Sequence, residues 1–453
     1  MAQYRIGQNT SSPTQSNFAV ILESAYQAKL RPVCLCCGDE GLPMYIAHIN
    51  DRYWLKRMPG TGRRHAVGCS SWEIPEEFSG RSDLVGSAIH YTEDEVKLRL
   101  GFPLSHRGRR DKEKVEQANA EKPTAKGKID DARLTLRSLL HYLWDEAGLT
   151  TWSADCLPRN WAFAYDSLSM AAARKTVKHA ELQRYLYLPR PCDKQRVAQI
   201  EGERRQRFAQ VSGTDDKKVH HLLVMVGAVE SIKLSGENYR ATFTDMPNYP
   251  IVIKPDLYGK MLKNLGKEMR MCQADSTGQM IMIGTFCVEV EGTAVFEEVA
   301  LMYVNEDWIP YENIYDRDLI EKLQKDKRSF LRLLRYNRPT ATPMPTLLLT
   351  DQGDAPLSIY VLDAEASTTA KQIEDSAIAS KYEYIVWNPK VDGEIPALPP
   401  IQLRSNSSQA VTLPGDQQSE AEAASHPFSS AKTTEGSSLE SSLAEIPAEV
   451  VSA

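Results

Sequence analysis

No stretch of the 453-residue sequence approaches the roughly eighteen consecutive apolar residues that a membrane helix needs, so no such span is expected. The opening residues, MAQYRIGQNTSSPTQSNF, have no basic segment leading into an apolar core; no secretory leader is expected, and the chain reads as cytoplasmic. A phosphate-cradling loop is missing, because GTGRRH lacks the following Lys-Ser/Thr and the strand-to-helix setting. There is no Gly-x-Ser-x-Gly elbow and no His-Glu-x-x-His pair, which removes the usual esterase and zinc-protease signatures. Cysteine is scarce, with eight in the whole chain. In a reducing compartment, cysteines that cluster point to metal rather than to disulfides.

What is present is ordinary in bulk: 42% hydrophobic and 25% charged residues, in a chain too long for one core. The formal charge of −6 is unevenly spread. The segment from Arg404 to Ala453 has seven acidic and two basic residues, leaving the body near neutral. Within that body, Lys97–Arg133 carries eleven basic against six acidic residues, and Arg174–Lys218 twelve against six. Such positive segments suit nucleic-acid contact, with Arg109, Arg110, Lys112, Lys175, Lys178, Arg204 and Arg205 the candidates. Solvated helix faces and a linker account for the same counts.

The pattern predicts an α+β multidomain protein. Residues 1–30 form an N-terminal arm containing one helix, NFAVILESAYQAKL, and 31–105 a cysteine-bearing module. Residues 106–130 lack apolar periodicity and read as a basic linker. Residues 131–218 read as a helical module, possible as a winged helix. Asp130 or Asp131 caps ARLTLRSLLHYLWDEAGL, Gly148 closes it, and helices follow at WAFAYDSLSMAAARK and HAELQRYLYL. In 219–305 the period changes to that of strands. HLLVMVGAVESIKL and NYRATFTDMPNYPIVI flank a turn, a helix follows, and a second hairpin closes an α+β domain. Met225, Met261, Met269 and Met280 read there as core filler. Residues 306–400 give helix, strands around an Asp/Gly turn, helix and closing strand, an α/β unit. The Ser-, Ala- and Glu-rich 401–453 reads as a disordered acidic tail.

Four of the eight cysteines fall between Arg31 and Trp72. Cys34 and Cys37 have the two-residue gap of a zinc knuckle, and His65 and Cys69, with three residues between them, supply two further corners. MYIAHINDRYWLKRMPG between them alternates well enough to form a hairpin that brings the pairs together. Cys36 is the alternate to Cys37, and His48 a weaker competitor for His65. Four protein ligands leave no open position, so the expected cofactor is a structural Zn2+. Cys156, Cys192, Cys272 and Cys287 are scattered singly, as buried small side chains are. In DKRSFLRLLRYNR, Arg332 and Arg335 with interleaved aromatics are further candidates for a nucleic-acid backbone, a basic helix end being the plainer reading.

LKRMPGTGRRHAVGC, LLHYLWDEAGLTTW, LLVMVGAVESI and WIPYENIYDRDLI together resemble an uncharacterised bacterial family, the domain of unknown function numbered 1173, over about residues 20–395. That resemblance implies an N-terminal cysteine cluster and an origin on plasmids or conjugative elements; it implies no activity. More distantly, the chain resembles competence-type CoiA proteins, which join a Cys/His metal module to a restriction-endonuclease-like domain. The likeness implies such a domain in the C-terminal unit, with a helix acid at Asp316 or Glu312. The Pro-Asp position of those nucleases falls on Pro345-Thr346, and their Glu-x-Lys on Ser358-Ile359-Tyr360, so the metal-binding carboxylates and the lysine are missing. Asp351, Asp363 and Glu365 are the remaining nearby acids.

The resulting expectation is a zinc-stabilised nucleic-acid-binding accessory protein of a mobile element, DNA favoured, with a catalytically degenerate nuclease-like domain and no membrane partner. The alternatives are an active metal-dependent nuclease using Asp316, Asp351, Asp363 and Glu365, and a protein–protein adaptor without a nucleic-acid role.

Overall fold

Alternation in MYIAHINDRYWLKR produces the hairpin its period demands. In the computed structural model, Leu42–Ile49 (β4) and Arg52–Arg57 (β5) pair antiparallel from Met44 opposite Arg57 to Ile49 opposite Arg52. The structure describes residues 3–49, 52–75, 79–92, 95–107, 132–156, 158–213, 219–274, 277–289, 291–339, 342–362, 370–380 and 382–402. Most of the expected linker, with Arg109, Arg110 and Lys112, lies outside them, as do Asp130, Asp131, Asp363, Glu365 and the acidic tail beyond residue 402. Contacts gather Met1–Ser408 into one unit.

Ahead of the hairpin come Tyr4–Ile6 (β1), Asn9–Ser11 (β2), the expected helix at Phe18–Gln27 (α1), and Val33–Cys34 (β3). These strands extend the hairpin into a sheet of order β2-β1-β3-β4-β5. Tyr4, Ile6, Leu22, Ala25, Leu42 and Met44 form its small core, which is too little apolar material to hold the module firmly by itself.

The middle of the chain is less helical than its sequence suggests. After Ile89–Tyr91 (β6), Val96–Leu98 (β7) and Ser105–Arg107 (β8) comes Leu136–Glu146 (α2), capped by Thr135, whose hydroxyl accepts from the Ser138 amide. The helix begins several residues after Asp130 and Asp131, and Gly148 lies just beyond its end at φ 71°. Leu136, Leu139, Leu140, Leu143 and Trp144, the expected apolar stripe, are buried, but so are Ser138, His141 and Tyr142. Buried on nearly every side, α2 is the central helix of the largest apolar cluster. Thr151–Trp152 (β9) and Trp161–Ala172 (α3) follow. HAELQRYLYL departs from its expected helix. After Lys175–Val177 (β10), it holds Ala180–Glu181 (β11), a 3-10 turn at Leu182–Arg184 and Leu186–Tyr187 (β12), and the next helix is Val197–Ala209 (α4). The described part of this segment still holds three helices, α2, α3 and α4, but the third lies beyond HAELQRYLYL, with short strands between it and α3. The strands of the segment join three different sheets: β10 pairs β7, β9 pairs the C-terminal sheet, and β12 pairs the barrel described next.

Val219–His221 (β13) pairs with β8. Leu223–Ser235 (β14) then pairs through its second half with Asn238–Phe243 (β15), across a turn at Gly236 with φ 63°. Met246–Ile253 (β16) follows, then two helices, Pro255–Asn264 (α5) and Gly266–Ala274 (α6), where the sequence suggested one. Gln279–Val288 (β17) and Ala294–Val304 (β18) form the expected hairpin. β16 pairs β18 in parallel, and β17 returns to the first half of β14, so five strands close in the order β14-β15-β16-β18-β17. One long strand serves two neighbours because it bulges between Val229 and Ser231, which adds local twist. At Gly227 a Cβ would stand 2.9 Å from the Phe243 ring, so the barrel interior requires glycine there. Met225, Met261 and Met280 are buried in this core and Met269 packs against it.

The last part is Pro310–Tyr311 (β19), Ile314–Lys325 (α7), Phe330–Arg332 (β20), Leu347–Leu349 (β21), Leu357–Val361 (β22), Ala370–Ser380 (α8) and Tyr384–Trp387 (β23). Leu319, Ile320 and Leu323 of α7 are buried against the sheet, and Asn313 caps the helix by accepting from the Asp316 amide. β20, β21 and β22 are successive antiparallel neighbours, and β23, after its helix, lies parallel to β22. Helix, three strands, helix, strand is the element order the sequence suggests; β9 is an added edge.

Candidate metal centre

Four side chains converge at the mouth of the N-terminal sheet. Cys34 ends β3, Cys36 sits in the turn after it, and His65 and Cys69 come from the loop after β5, following a 3-10 turn at Gly62–Arg64. Their donor atoms all lie within 4.8 Å of one another, an arrangement that could hold a metal ion. Cys34 Sγ is 3.8 Å from Cys69 Sγ, and His65 Nδ1 is 3.4 Å from Cys36 Sγ and 3.8 Å from Cys69 Sγ. Backbone amides of Ala66 and Ser71 each approach a sulfur, Cys36 and Cys69 respectively, at 3.4 Å, as support for thiolate charge requires. Hydrogen bonds among the thiols, with burial behind them, push Cys34 and Cys69 up to about 11. Burial pulls His65 down to about 4, so its imidazole is neutral and able to ligate.

The cluster corrects one choice. The spacing favoured Cys37, but the group is completed by Cys36. Cys37 is exposed, and its thiol donates to the Arg64 carbonyl at 3.1 Å. The knuckle bends one residue earlier than the two-residue gap suggests, because Cys34 is still in its strand, opposite Leu42. His48 lies away from the cluster, stacked on Tyr53 with ring centroids 4.5 Å apart.

The expected cationic contacts divide into two groups. Lys178 and Arg205 are exposed. Lys175 is buried and bonds Glu146 at 3.0 Å, so it is unavailable to phosphate. Arg332 is buried as well, 2.7 Å from Asp316, and it also donates to the carbonyls of Pro310 and Thr346. Arg335 is half-buried and pairs with Glu312 at 3.3 Å, while Arg204 stands over the Tyr249 ring at 5.0 Å. For Lys175, Arg332, Arg335 and Arg204, a helix or strand face that looks merely basic in sequence meets a carboxylate or ring from another element.

The acids behave likewise. Asp351 takes a two-pronged bond from Arg328, both contacts at 2.8 Å, and a further bond from the Ser329 amide. Burial raises the Asp316 carboxyl against the pull of Arg332, whereas Arg332 and Arg335 overcome burial and hold Glu312 low. Asp316, Glu312, Thr346 and Tyr360 border one small cavity of about 40 Å³ together with Arg332 and Lys267. Sequence reading missed a second charged assembly, at the end of α2. Glu146 there meets Arg57, Arg81 and Lys175. No local pattern marks it, because its members are spread over more than a hundred positions.

The chain belongs to a family of proteins of unknown function, DUF1173, which matches residues 4–391. No curated protein and no solved structure matches it. Among the described residues, no helix is long and apolar enough to cross a membrane.

Proposed function

We propose that this protein is a zinc-stabilised nucleic-acid-binding protein that does not cleave its ligand, with single-stranded DNA the favoured form. The observation that carries the reading is the barrel. Five strands closing as β14-β15-β16-β18-β17, with helices between the third and fourth, follow the plan of barrels that take oligonucleotides on their second and third strands and on the loops after the first and fourth. Here Arg240 of β15 is exposed, directly opposite Lys233 of β14 on one side and Val252 of β16 on the other. Two adjacent cations on that face suit a phosphate backbone.

Zinc is the metal the donor set suits, three thiolates and an imidazole. Tetrahedral zinc with Zn–S near 2.3 Å and Zn–N near 2.05 Å sets S···S edges of about 3.8 Å and S···N edges of about 3.6 Å. The separations of 3.8, 3.4 and 3.8 Å lie close to those edges. Four protein donors leave no position for substrate, so the ion's work is to fasten a module with a small core.

Absence of cleavage is supported by the C-terminal unit, whose element order suits a nuclease-like scaffold. Its acids Asp316 and Glu312 are paired with arginines, and the residues that the resemblance sets at the metal-binding and lysine positions are Thr346 and Tyr360. An accessory role in a mobile or conjugative element rests on the family resemblance.

The test is fluorescence anisotropy with single-stranded and duplex DNA across a salt series, using the full chain and a Lys233→Glu/Arg240→Glu variant. Binding should weaken steeply with salt, and the variant should flatten the log–log slope for single strands by about 1.4. No binding at low salt, or a slope unchanged by the double reversal, overturns the reading. Cutting in Mg2+ or Mn2+ overturns its non-cleaving part.

A further inference from the structure

Where the end of α2 meets the N-terminal module, the fold encloses a cavity of about 240 Å³. Its polar wall is Lys56, Arg57, Glu73, Arg81, Asp145 and Glu146, and Ser70 and Ser71, just after Cys69, also border it. Arg57 and Arg81 both clasp Glu73, and both reach Glu146, at 3.3 and 3.5 Å. Lys175 reinforces Glu146 from outside the cavity. Lys56 donates to the Glu146 backbone carbonyl at 3.4 Å rather than to a carboxylate. Three carboxylates, Glu73, Asp145 and Glu146, thus face four cations, Lys56, Arg57, Arg81 and Lys175, an excess of one positive charge. Asp145 accepts from the Tyr336 hydroxyl at 2.5 Å; burial pushes it up to about 6 and pulls Lys56 down to about 8, which leaves both charged at neutral pH.

Excess positive charge in a recess is costly unless an anion joins it; the Arg81 side chain is only 5% exposed. Among the described residues Arg57 makes both of its ion pairs through Nη2, so Nε and Nη1 remain for a ligand. The open edge of the Arg57 guanidinium, the Lys56 ammonium and the Ser71 hydroxyl form a donor set matched to a tetrahedral oxyanion, backed by Arg81, whose Nη1 and Nη2 bond Glu146 and Glu73, and by Ser70, which meets the Tyr4 hydroxyl. The volume falls below the roughly 300 Å³ at which drug-sized ligand pockets begin, so the guest is small.

We propose that this cavity is a binding site for a phosphate monoester, held by Arg57, Arg81 and Lys56. The site does not depend on the barrel, so it stands or falls separately from the nucleic-acid reading. A small phosphorylated compound and the 5′-phosphate of a nucleic-acid end share the required chemistry.

The test is calorimetric titration of the full, zinc-loaded protein with inorganic phosphate and with a nucleoside 5′-monophosphate, with sodium chloride at matched ionic strength as control. Saturable binding is expected. Lys56→Gln should weaken it about tenfold or more, the worth of one charged hydrogen bond. Arg57→Lys, which keeps the charge and removes the fork, should weaken it as well, with circular dichroism confirming that both variants fold. Absence of saturable heat up to about 10 mM phosphate, millimolar affinity being already weak, overturns the proposal. So does binding that neither variant alters, which would place the anion elsewhere. Oligonucleotides with and without a 5′-phosphate separate the sources. A preference for the phosphorylated end that Lys56→Gln abolishes, and that Lys233→Glu/Arg240→Glu leaves in place, assigns a strand end. Equal affinity for both oligonucleotides, with the monophosphate still bound, assigns a free phosphate ester.

Discussion

Replacing Cys36 with serine should release the metal, and replacing its neighbour Cys37 should not. The two thiols are adjacent in sequence and their sulfurs are 3.7 Å apart, so the comparison separates geometry from mere thiol content. Cys36 faces the imidazole at 3.4 Å and receives the Ala66 amide, whereas Cys37 turns to the Arg64 carbonyl. A structural zinc site of four ligands binds with about 10–16 kcal/mol, or about 3 kcal/mol per ligand if the four share equally. Losing Cys36 should therefore weaken binding by about two orders of magnitude, since each 1.4 kcal/mol or so is tenfold. The assay is metal content by mass spectrometry after purification, followed by competition with a chromogenic chelator. Wild type and Cys37→Ser should carry one ion per chain and resist the chelator equally; Cys36→Ser should surrender its ion at far lower chelator concentration. If Cys37→Ser loses metal as readily as Cys36→Ser, the ligand assignment is wrong. If neither does, these four side chains are not the site.

Other outcomes follow from buried charge and from the central helix. Asp316→Ala should cost about 3–5 kcal/mol in a denaturant titration, because it strands Arg332 as an unpaired buried cation; a loss below about 1 kcal/mol would mean Arg332 is held by its carbonyl partners alone. Thr135→Ala should cost about 1 kcal/mol through loss of the α2 cap, read in the same titration. His141 supplies a pH dependence of known sign. Burial, aided by Arg137 and Arg332, lowers it from 6.5 to about 3, and its Nδ1 accepts from the Tyr336 amide. The unfolded chain takes up the proton first, so this contribution is full above pH 6.5 and is lost as pH falls towards 3. The stability difference between wild type and His141→Asn should therefore shrink on acidification through that window; a constant difference would show that His141 is not held neutral.

What the sequence reveals here depends on how local each device is. The β4–β5 hairpin, the α2 stripe and the β17–β18 hairpin were legible because period and turn chemistry lie within a few residues of one another. The metal cluster was legible for the same reason, its donors being two short pairs on either side of a hairpin. The choice between Cys36 and Cys37 was not, because it depends on how far β3 continues before it turns. HAELQRYLYL reads as a helix by composition, yet its Leu186 and Tyr187 are claimed by β14 as a neighbouring strand. Tertiary pairing overrides propensity there. Basic runs misled most. Lys175 and Arg332 look like free cations in sequence, but their carboxylate partners are 29 positions before the one and 16 before the other.

Those hidden pairs also explain how a module with so small a core stays attached to the rest of the chain. Metal binding can order the loop that bears His65 and Cys69, but it cannot fix that loop to α2. One connection is made by Arg57 of β5, which joins Glu73 of the post-knuckle segment to Glu146 of α2, with Arg81 repeating both contacts; Arg52 with Asp166 and Arg174 over the Tyr45 ring add others. Such a bridge is strong only while every member is paired, since removing one partner leaves the others buried and charged. The metal site and the ion network are therefore in series. Loss of a metal ion held by the cluster would free Ser70, Ser71 and Glu73 to move, and moving Glu73 would remove a carboxylate shared by two arginines. Opening at the cluster should thus be transmitted to the cavity wall and to the end of α2.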